Sequence, residues 1–336
     1  MLTKCAASTS QYPHTVTDFA FATCLVGMEP ALKREVARDR AGLHFAYSRP
    51  GLVTFRTDGS ITPEDTSPSG FARVWGRSLG AARDPEDAAR QLALVGAQRV
   101  HVFARDPEVI TDLAPWSATL PMPSGRAQPG ELVADVIVAP DEPAWLGLHR
   151  ADAHHLPCPG GAIAIDVPGD SPSRAYAKIE EAIAWRDLPV AAGQVALEIG
   201  AAPGGAVLAL ARRGLEVYAV DTADLAPQVL ALPNVHHLRT KVGALRWEAL
   251  PPRVDWLLLD VNLAPQVALH EVARLMPRLR DHLRGVVFTL KLNDWAFVDE
   301  LPKLAERVRQ MGLADVQLRH LPSNRREICV VGLAQR

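Results

Sequence analysis

The sequence predicts two kinds of architecture in one chain: an α/β second half built on a doubly wound parallel sheet, and an α+β first half. From residue 195 to residue 290, short apolar segments alternate regularly with helical patterns. A glycine-rich turn, Gly200 to Gly205, joins the first of these apolar segments to a helical pattern. Before residue 166 strands and helices are intermixed without such alternation, which is typical of the α+β class.

Composition indicates a soluble globular protein and argues against a general polyanion binder. The chain has 336 residues, enough for two domains, with 48% hydrophobic and 22% charged residues. Its formal net charge is −2, so any nucleic-acid contact must come from local basic patches. No apolar run reaches membrane-spanning length and the start lacks a signal pattern, so we expect a cytoplasmic protein with no membrane partner.

The cysteines and paired histidines do not predict a metal site. The four cysteines are far apart and suit a reducing compartment: Cys5, Cys24, Cys158 and Cys329. Two histidine pairs, His154 with His155 and His236 with His237, have no third ligand at a suitable spacing. We therefore expect no metal, and histidines that are exposed or hydrogen-bonded.

The first half, residues 1–165, is predicted to contain several short strands and two helices. The predicted strands are 19–25, 43–47, 52–56, one around 71–75, 99–104, 132–138 and 145–149, and the predicted helices are 29–38 and 85–94. A loop rich in Pro, Ser and Gly is expected over 115–130. Because no titratable cluster in this half resembles an active site, we interpret it as a recognition or scaffolding module.

The second half, residues 166–336, begins after a Pro- and Gly-rich segment, 166–173, and is predicted to alternate between strands and helices. The predicted strands are 195–199, 216–220, 235–239, 254–259, 285–290, 315–320 and 327–333, and the predicted helices are 174–185, 204–213, 265–283 and 296–311. Alternation predicts a parallel sheet with helices on both faces. The 321–326 connection is too short for a crossover helix, so the last two strands should form an antiparallel hairpin.

The segment 195–221 is predicted to contain a strand, a glycine turn, a helix and a second strand that ends at an acidic residue. Glycines at 200, 204 and 205 let the backbone turn sharply and approach a ligand, while Pro203 presets φ near the helix start. Asp221 ends the second strand about twenty residues after the turn, where doubly wound folds hold ribose hydroxyls. The segment therefore predicts a nucleoside cofactor.

The residues of the turn indicate which cofactor this is. Neither a Gly-x-Gly-x-x-Gly dinucleotide pattern nor a Gly-Lys-Ser/Thr phosphate loop is present. An acid precedes the first glycine and no cation follows the last, which suits a ligand with an amino group and a sulfonium, so we predict an S-adenosylmethionine site. The alternative is an ordinary βαβ unit without a ligand. The predicted binding residues are Glu198, Gly200, Ala201, Ala202, Pro203, Gly204, Gly205, Asp221 and Asp260.

Charged residues are predicted to meet at the edge of the sheet that binds the cofactor. Asp260 and Lys291 each end a parallel strand, and ligands of doubly wound sheets bind at those strand ends. Glu327 begins the final antiparallel strand, which places it at the same edge. Lys178, on the helix before the sheet, is positioned to join them.

These residues carry a resemblance to a known family. The order Lys178, Asp260, Lys291, Glu327, with segment 172–182 around the first and 197–205 as the glycine turn, resembles the FtsJ-like ribose 2′-O-methyltransferases and their Lys-Asp-Lys-Glu tetrad. Within that superfamily the chain is most similar to the large-subunit ribosomal RNA ribose methyltransferase M family, which modifies a cytidine of 23S rRNA. Three segments of the first half, 27–36, 51–55 and 71–75, resemble that family's N-terminal module with its THUMP-type RNA-binding region.

The resemblance implies a catalytic tetrad of Lys178, Asp260, Lys291 and Glu327, a Rossmann-like methyltransferase domain and an RNA substrate. We expect Lys291 to act as the base or to orient the hydroxyl, with a pKa lowered by burial and nearby positive charge. Asp260 would direct the Lys291 amine and attract the sulfonium, while Glu327 and Lys178 would position the ribose. The basic residues of the loop between the last two strands are expected to hold RNA phosphates: Arg319, His320, Arg325 and Arg326.

Two other functions stay open on the sequence: a methyltransferase of a non-RNA substrate, and a catalytically degenerate RNA-binding factor in ribosome assembly. The second is favoured by Ala206 and Val242, which depart from the family's residues near the cofactor. We also expect a monomer, and a fragment starting near residue 166 that folds by itself while the first half selects the RNA.

Overall fold

A computed structural model describes residues 18–65, 69–152 and 155–335 and consists of two seven-stranded sheets, one from each half of the chain. Cys5 and His154, named above, lie outside the described residues. No helix within these ranges is long and apolar enough to cross a bilayer.

The first sheet is mixed, with strand order β2-β3-β1-β4-β7-β6-β5 and a parallel pairing between β5 and β6. Its strands are β1 (Phe19–Thr23), β2 (Leu43–Arg49), β3 (Leu52–Thr57), β4 (Val74–Ala82), β5 (Arg99–Ala104), β6 (Leu132–Val138) and β7 (Ala144–Arg150). Its helices are α1 (Glu29–Asp39), α2 (Pro85–Leu92) and α3 (Ala114–Thr119). The mixture of strands and helices confirms the α+β character of this half.

Two predictions about the first half were wrong. The strand expected around Phe71 begins at Val74 and runs to Ala82, because Phe71 and Ala72 are buried against the second half before the strand starts. The segment expected to be loop over 115–130 opens with the short helix α3. Pro115 lies in the first turn of that helix, where a proline costs no hydrogen bond, and Trp116 anchors the helix in the core.

The first sheet curls strongly, so that distant strands approach each other. A Cβ on Gly51, in the β2–β3 turn, would lie 2.8 Å from the carbonyl oxygen of Arg105, which follows β5. The rings of Tyr47 on β2 and Trp145 on β7 stack with centroids 5.9 Å apart, although three strands separate β2 from β7 in the sheet. The concave face encloses a small apolar cluster: Phe21, Leu52, Val74, Phe103 and Ile137.

The second sheet has strand order β10-β9-β8-β11-β12-β14-β13, in which the first five strands are parallel and β14 is antiparallel to both neighbours. The strands are β8 (Val195–Ile199), β9 (Glu216–Val220), β10 (Val235–Leu238), β11 (Trp256–Leu259), β12 (Gly285–Lys291), β13 (Leu313–Arg319) and β14 (Glu327–Ala334). The helices are α4 (Ala175–Arg186), α5 (Gly205–Arg212), α6 (Pro227–Leu230), α7 (Pro265–Leu279) and α8 (Phe297–Arg309). The predicted parallel sheet and final hairpin are confirmed.

Both faces of the second sheet are covered, which explains its continuous apolar strands. In β11, Leu257 and Leu259 belong to one hydrophobic cluster, whereas Trp256 and Leu258 belong to another on the opposite face. Parallel strands covered by helices on both sides have this composition. Their carboxyl ends are left at one edge, where the charged residues lie.

The two halves share one hydrophobic core. The largest buried cluster includes Leu32 and Phe71 from the first half together with Leu304 and Ile328 from the second. Helix α1 packs against α8, and the Nε atom of Arg34 donates a hydrogen bond of 2.8 Å to Asp299. The shared core argues against the expectation that a fragment starting near residue 166 folds by itself, because that fragment would expose this apolar surface to water.

Two residues expected in a basic RNA-binding loop are instead buried where the halves meet. The Arg319 guanidinium donates a hydrogen bond of 3.2 Å to the carbonyl of Arg73, and the amide of His320 donates one of 2.6 Å to the carbonyl of Gly70. Burial lowers the pKa of Arg319 to about 10 and that of His320 to about 4. Their predicted role in holding phosphates was therefore wrong, because the Arg319 guanidinium is bonded to backbone carbonyls of the first half and the His320 ring, bonded to the carbonyl of Arg325, is neutral near pH 7.

The buried His320 should make stability depend on pH. Its pKa is about 4 in the folded chain and about 6.5 when unfolded, so the unfolded state binds more protons between these values. We expect the contribution of His320 to the free energy of unfolding to fall by up to about 3 kcal/mol as pH falls from 6.5 to 4. Urea unfolding across this range should show a smaller slope for His320→Phe, while His282→Phe, at an exposed position, keeps the wild-type slope. Equal slopes for all three proteins would contradict the assignment.

Candidate active site

The glycine turn after β8 brings the backbone close to the end of β11. Gly200 has φ of +84°, and a Cβ on it would lie 2.2 Å from the carbonyl oxygen of Asp260. Gly204, the cap of α5, has φ of +109°, which strongly favours glycine. These two glycines therefore allow the turn to lie directly beside Asp260, as the sequence pattern required.

Asp221 lies directly after β9 and stabilises the turn. One carboxylate oxygen accepts a hydrogen bond of 2.9 Å from the amide of Ala202, and the other accepts one of 2.9 Å from the amide of Ala223. This contact links the predicted ribose acid to the predicted cofactor turn. Because the side chain is partly exposed, it can also meet a ligand at the sheet edge.

Glu198 is a buried acid beneath the turn. It is 2% exposed, and its Oε2 atom has no hydrogen-bond partner among the described residues. Burial, together with the negative charges of Asp260 and Asp221, raises the pKa of Glu198 well above its usual range. A positively charged group placed nearby would relieve this repulsion.

The fold brings together the four residues predicted as a tetrad. Asp260 directly follows β11, and Lys291 is the last residue of the neighbouring strand β12. Glu327 is the first residue of β14 and pairs in register with Lys291. Lys178 reaches them from α4. The sheet edge thus collects Asp260, Lys291 and Glu327, as expected from strand order, and Lys178 joins them from the helix.

The tetrad forms a closed ring in which charges alternate. Lys178 donates a hydrogen bond of 2.9 Å to one oxygen of Asp260, and Lys291 donates one of 2.8 Å to the other. Lys291 donates a second hydrogen bond, of 2.6 Å, to Glu327. Lys178 completes the ring through an ion pair with the remaining Glu327 oxygen. Each carboxylate therefore bridges both lysines, and each lysine bridges both carboxylates.

The electrostatics of this ring correct one prediction. Burial alone would lower the pKa of Lys291, but the carboxylates of Asp260 and Glu327 outweigh it and raise that pKa above its ordinary value. Burial opposes the ionisation of Glu327, yet hydrogen bonds from Lys178 and Lys291 lower its pKa. The prediction of a lowered Lys291 pKa was therefore wrong for the protein without a ligand. The sequence could not show that the Lys291 amine contacts two carboxylates.

The loop between β13 and β14 is hydrogen-bonded to α4. The amide and hydroxyl of Ser323 donate hydrogen bonds of 2.9 Å and 2.7 Å to Glu181, and the His320 ring is bonded at 2.6 Å to the carbonyl of Arg325. Asn324 accepts a hydrogen bond from Leu321, while its buried Nδ2 atom has no partner among the described residues. Sequence reasoning missed Asn324, because it has no motif around it and gains its place only from the loop.

A groove of about 850 Å³ adjoins the tetrad, between the two halves. Asn324 lines both this groove and the small cavity that contains Lys178 and Asp260. The lining also includes four arginines and two acids: Arg73, Arg174, Arg325, Arg326, Asp106 and Glu108. Trp295 lies in the wall with the Arg326 guanidinium 4.9 Å above its ring centroid. The groove thus offers positive charge and an aromatic surface next to the tetrad.

Three of the four paired histidines lie among the described residues, and each of them is hydrogen-bonded, as expected. His155 contacts Asp152 and the carbonyl of Trp75, while His236 contacts Glu216 and His237 contacts the carbonyl of Asp221. Their hydrogen bonds give each of them a local structural role.

A doubly wound sheet with a glycine turn after its first parallel strand, an acid after the next strand and a final antiparallel hairpin defines the class of Rossmann-like methyltransferase folds. No family model matches the sequence. The chain is a homologue of proteins named ribosomal RNA large subunit methyltransferase M, which confirms the resemblance stated above.

Two of these relatives show the extent of the similarity. The protein from Laribacter hongkongensis is 29% identical over 88% of this chain and 90% of its own length. The protein from Thauera aminoaromatica is 33% identical over 51% of this chain. The chain spans 48% of that relative, about half its length. Among solved structures, TrmN from Thermus thermophilus is 19% identical over 94% of this chain and 99% of its own, with a TM-score of 0.36, too low to assign an activity.

Proposed function

We propose that this protein is an S-adenosylmethionine-dependent RNA ribose 2′-O-methyltransferase that acts on large-subunit ribosomal RNA. The observation that carries the proposal is the closed ring of two lysines and two carboxylates beside the glycine turn. The name of the homologues, ribosomal RNA large subunit methyltransferase M, supplies the RNA class. All four tetrad positions are filled and in contact, which favours an active enzyme over a degenerate binding factor.

The residues of the turn fit S-adenosylmethionine. The buried Glu198 carboxyl, whose Oε2 atom has no partner among the described residues, and the nearby negative charges of Asp260 and Asp221 suit a ligand that carries positive charge. In this proposal Asp221 holds ribose hydroxyls and Asp260 faces the positive charge, with the backbone from Gly200 to Gly205 forming the binding surface. The bound cofactor supplies an electrophilic methyl group on its sulfonium.

The tetrad residues position the 2′-hydroxyl and take up its proton. Lys291 is held between Asp260 and Glu327, so its Nζ atom has a defined direction. Positive charge beside Asp260 would offset the field of that carboxylate and lower the Lys291 pKa, which makes the neutral amine more accessible as a base. Glu327 and Lys178 orient the ribose, and most of the rate enhancement comes from alignment of the reacting groups.

The groove is proposed to bind the RNA around the target nucleotide. Arg325 and Arg326 are exposed on the rigid loop that leads into Glu327, and Arg174 is exposed at the start of α4. These cations would contact phosphates, while the Trp295 ring would stack on a base. The unpartnered Asn324 amide is placed between groove and tetrad, where it can donate a hydrogen bond to the ribose or base.

The first half is proposed to be a THUMP-like RNA-recognition domain of residues 1–165, before a methyltransferase domain of residues 166–336. It contributes one wall of the groove, including the exposed Val26 and the 106–108 segment, so it is suited to select the RNA as well as to stabilise the fold. We further propose that the protein acts as a cytoplasmic monomer. Transfer of labelled methyl from the cofactor to ribosomal RNA, compared with transfer RNA and with protein, tests the function as a whole.

Asp221→Ala should weaken cofactor binding through loss of the ribose contacts and of the Ala202 amide contact. Loss of charged hydrogen bonds of about 1.5–3 kcal/mol corresponds to an increase in Kd of about ten- to a hundredfold. Calorimetric titration would measure this change. Asp224→Ala, which alters a neighbouring exposed acid, serves as the control and should keep wild-type affinity; equal affinity of all three proteins would contradict the assignment of Asp221.

Lys291→Ala should reduce methyl transfer to less than about a tenth of the wild-type rate while leaving cofactor affinity nearly unchanged, because the lysine serves the hydroxyl. In the wild type, single-turnover transfer should rise with pH above neutrality, since the protonated amine is inactive as a base. Lys303→Ala, on the exposed face of α8, should keep both the rate and the pH profile. Retention of a tenth or more of the rate by Lys291→Ala would remove this residue from the mechanism.

Two substitutions in the groove should affect RNA binding in different ways. Arg325→Ala should lower affinity and reduce the slope of log K against log salt by about 0.7, as expected for one lost phosphate contact on a single strand. Trp295→Ala should lower affinity by about 1–3 kcal/mol with little change in slope, since stacking releases no counterions. Arg280→Ala, outside the groove, is the control. Filter binding across salt concentrations measures both quantities, and wild-type values for Arg325→Ala and Trp295→Ala would exclude the groove as the RNA site.

A further inference from the structure

The first sheet contains a buried group of potential metal ligands that does not overlap the tetrad. His101 on β5, Asp135 on β6 and His149 on β7 are all less than 3% exposed. His101 pairs in register with Asp135, and His149 pairs with Val133, two residues before Asp135, so all three side chains project from the same face. One ligand atom from each lies within 4.8 Å of the other two.

Asp135 is a buried carboxylate with one oxygen left unsatisfied among the described residues. Its Oδ2 atom lies 2.6 Å from Nδ1 of His149, whereas the buried Oδ1 atom has no hydrogen-bond partner among the described residues. No lysine or arginine in the described part of the chain forms an ion pair with this carboxylate. Burying a carboxylate without full compensation is costly, so a positive ion at Oδ1 would stabilise the site.

His101 is oriented as histidine ligands of metals commonly are. Nε2 of His101 is hydrogen-bonded at 2.8 Å to the carbonyl of Gly125, which places the proton on Nε2 and leaves a lone pair on Nδ1. The ring of His149 stacks on that of His155 with centroids 4.4 Å apart. Since His155 already contacts Asp152 and Trp75, it forms a wall of the site and is not a ligand.

We propose that His101, Asp135 and His149 bind one Zn²⁺ ion that joins strands β5, β6 and β7. Two imidazole nitrogens and one carboxylate oxygen are typical zinc ligands, whereas Ca²⁺ and Mg²⁺ require a shell of oxygens that this site lacks. Zinc bonds of about 2.0–2.1 Å place tetrahedral ligand atoms about 3.3 Å apart, so small side-chain rotations are needed on binding. Because the three ligands are buried on separate strands, the proposed role of the ion is structural.

The sequence predicted no metal because its adjacent histidine pairs have no third ligand nearby. The three residues proposed as ligands lie instead on three separate strands. The nearest two of these ligands in sequence, Asp135 and His149, are separated by a hairpin. The site is independent of the proposed methyl transfer, so either proposal can fail while the other holds.

Calorimetric titration of the full-length protein, stripped of metal by a chelator, tests the site with Zn²⁺ alone. We expect one ion bound per chain and a higher midpoint of thermal unfolding with zinc, because binding to the folded state stabilises it. Asp135→Asn should lose the stoichiometric binding and the thermal shift. His236→Gln, which removes a partly exposed histidine of β10, should keep both. Absence of stoichiometric binding by the wild type, or equal binding by Asp135→Asn, would overturn the proposal.

X-ray absorption at the zinc edge of the wild type provides a measurement that does not depend on whether a variant folds. The expected spectrum contains two imidazole ligands with oxygen in the remaining positions and no sulfur. A sulfur contribution would place the ion at a cysteine and overturn the assignment to His101, Asp135 and His149.

Discussion

The balance of two lysines and two carboxylates at the edge of the second sheet is the interaction on which the proposed chemistry depends. Each partly buried charge is compensated only while its neighbours remain in place, and removal of one lysine leaves two carboxylates facing the other. The balance needs four elements to be in register: α4, the end of β11, the end of β12 and the start of β14. This requirement connects the local geometry of the site to the topology of the whole sheet.

The antiparallel direction of β14 is essential to this arrangement. In an all-parallel sheet the first residue of the last strand would lie at the opposite edge, and Glu327 could not meet Lys291. The hairpin with β13 reverses the strand and also creates the 320–326 loop. That loop carries Asn324 and two exposed arginines to the groove, so one topological feature provides both the fourth member of the tetrad and part of the proposed RNA site.

The hydrophobic core shared by the two halves gives the first half a structural role besides the predicted recognition role. Its contacts with α8 and with the end of β13 are apolar and hydrogen-bonded, and they bury Arg319 and His320. A module that only recognised RNA would not need such contacts. The first half therefore completes the core of the protein and forms one wall of the groove, which couples folding to substrate access.

The sequence by itself determined the order and type of most elements in the second half, because glycine turns and apolar periodicity are local signals. It also predicted that Asp260, Lys291 and Glu327 meet at one edge of the sheet, because of the directions of their strands, while the family resemblance supplied Lys178. Tertiary structure decided what depends on distant contacts. The Lys291 pKa is raised by carboxylates from two other elements, Asn324 gains its position from the folded loop, and the cluster of His101, Asp135 and His149 forms only when three strands align. The charge of Arg319 predicted a place on the surface, but the residue is buried because the first half covers it.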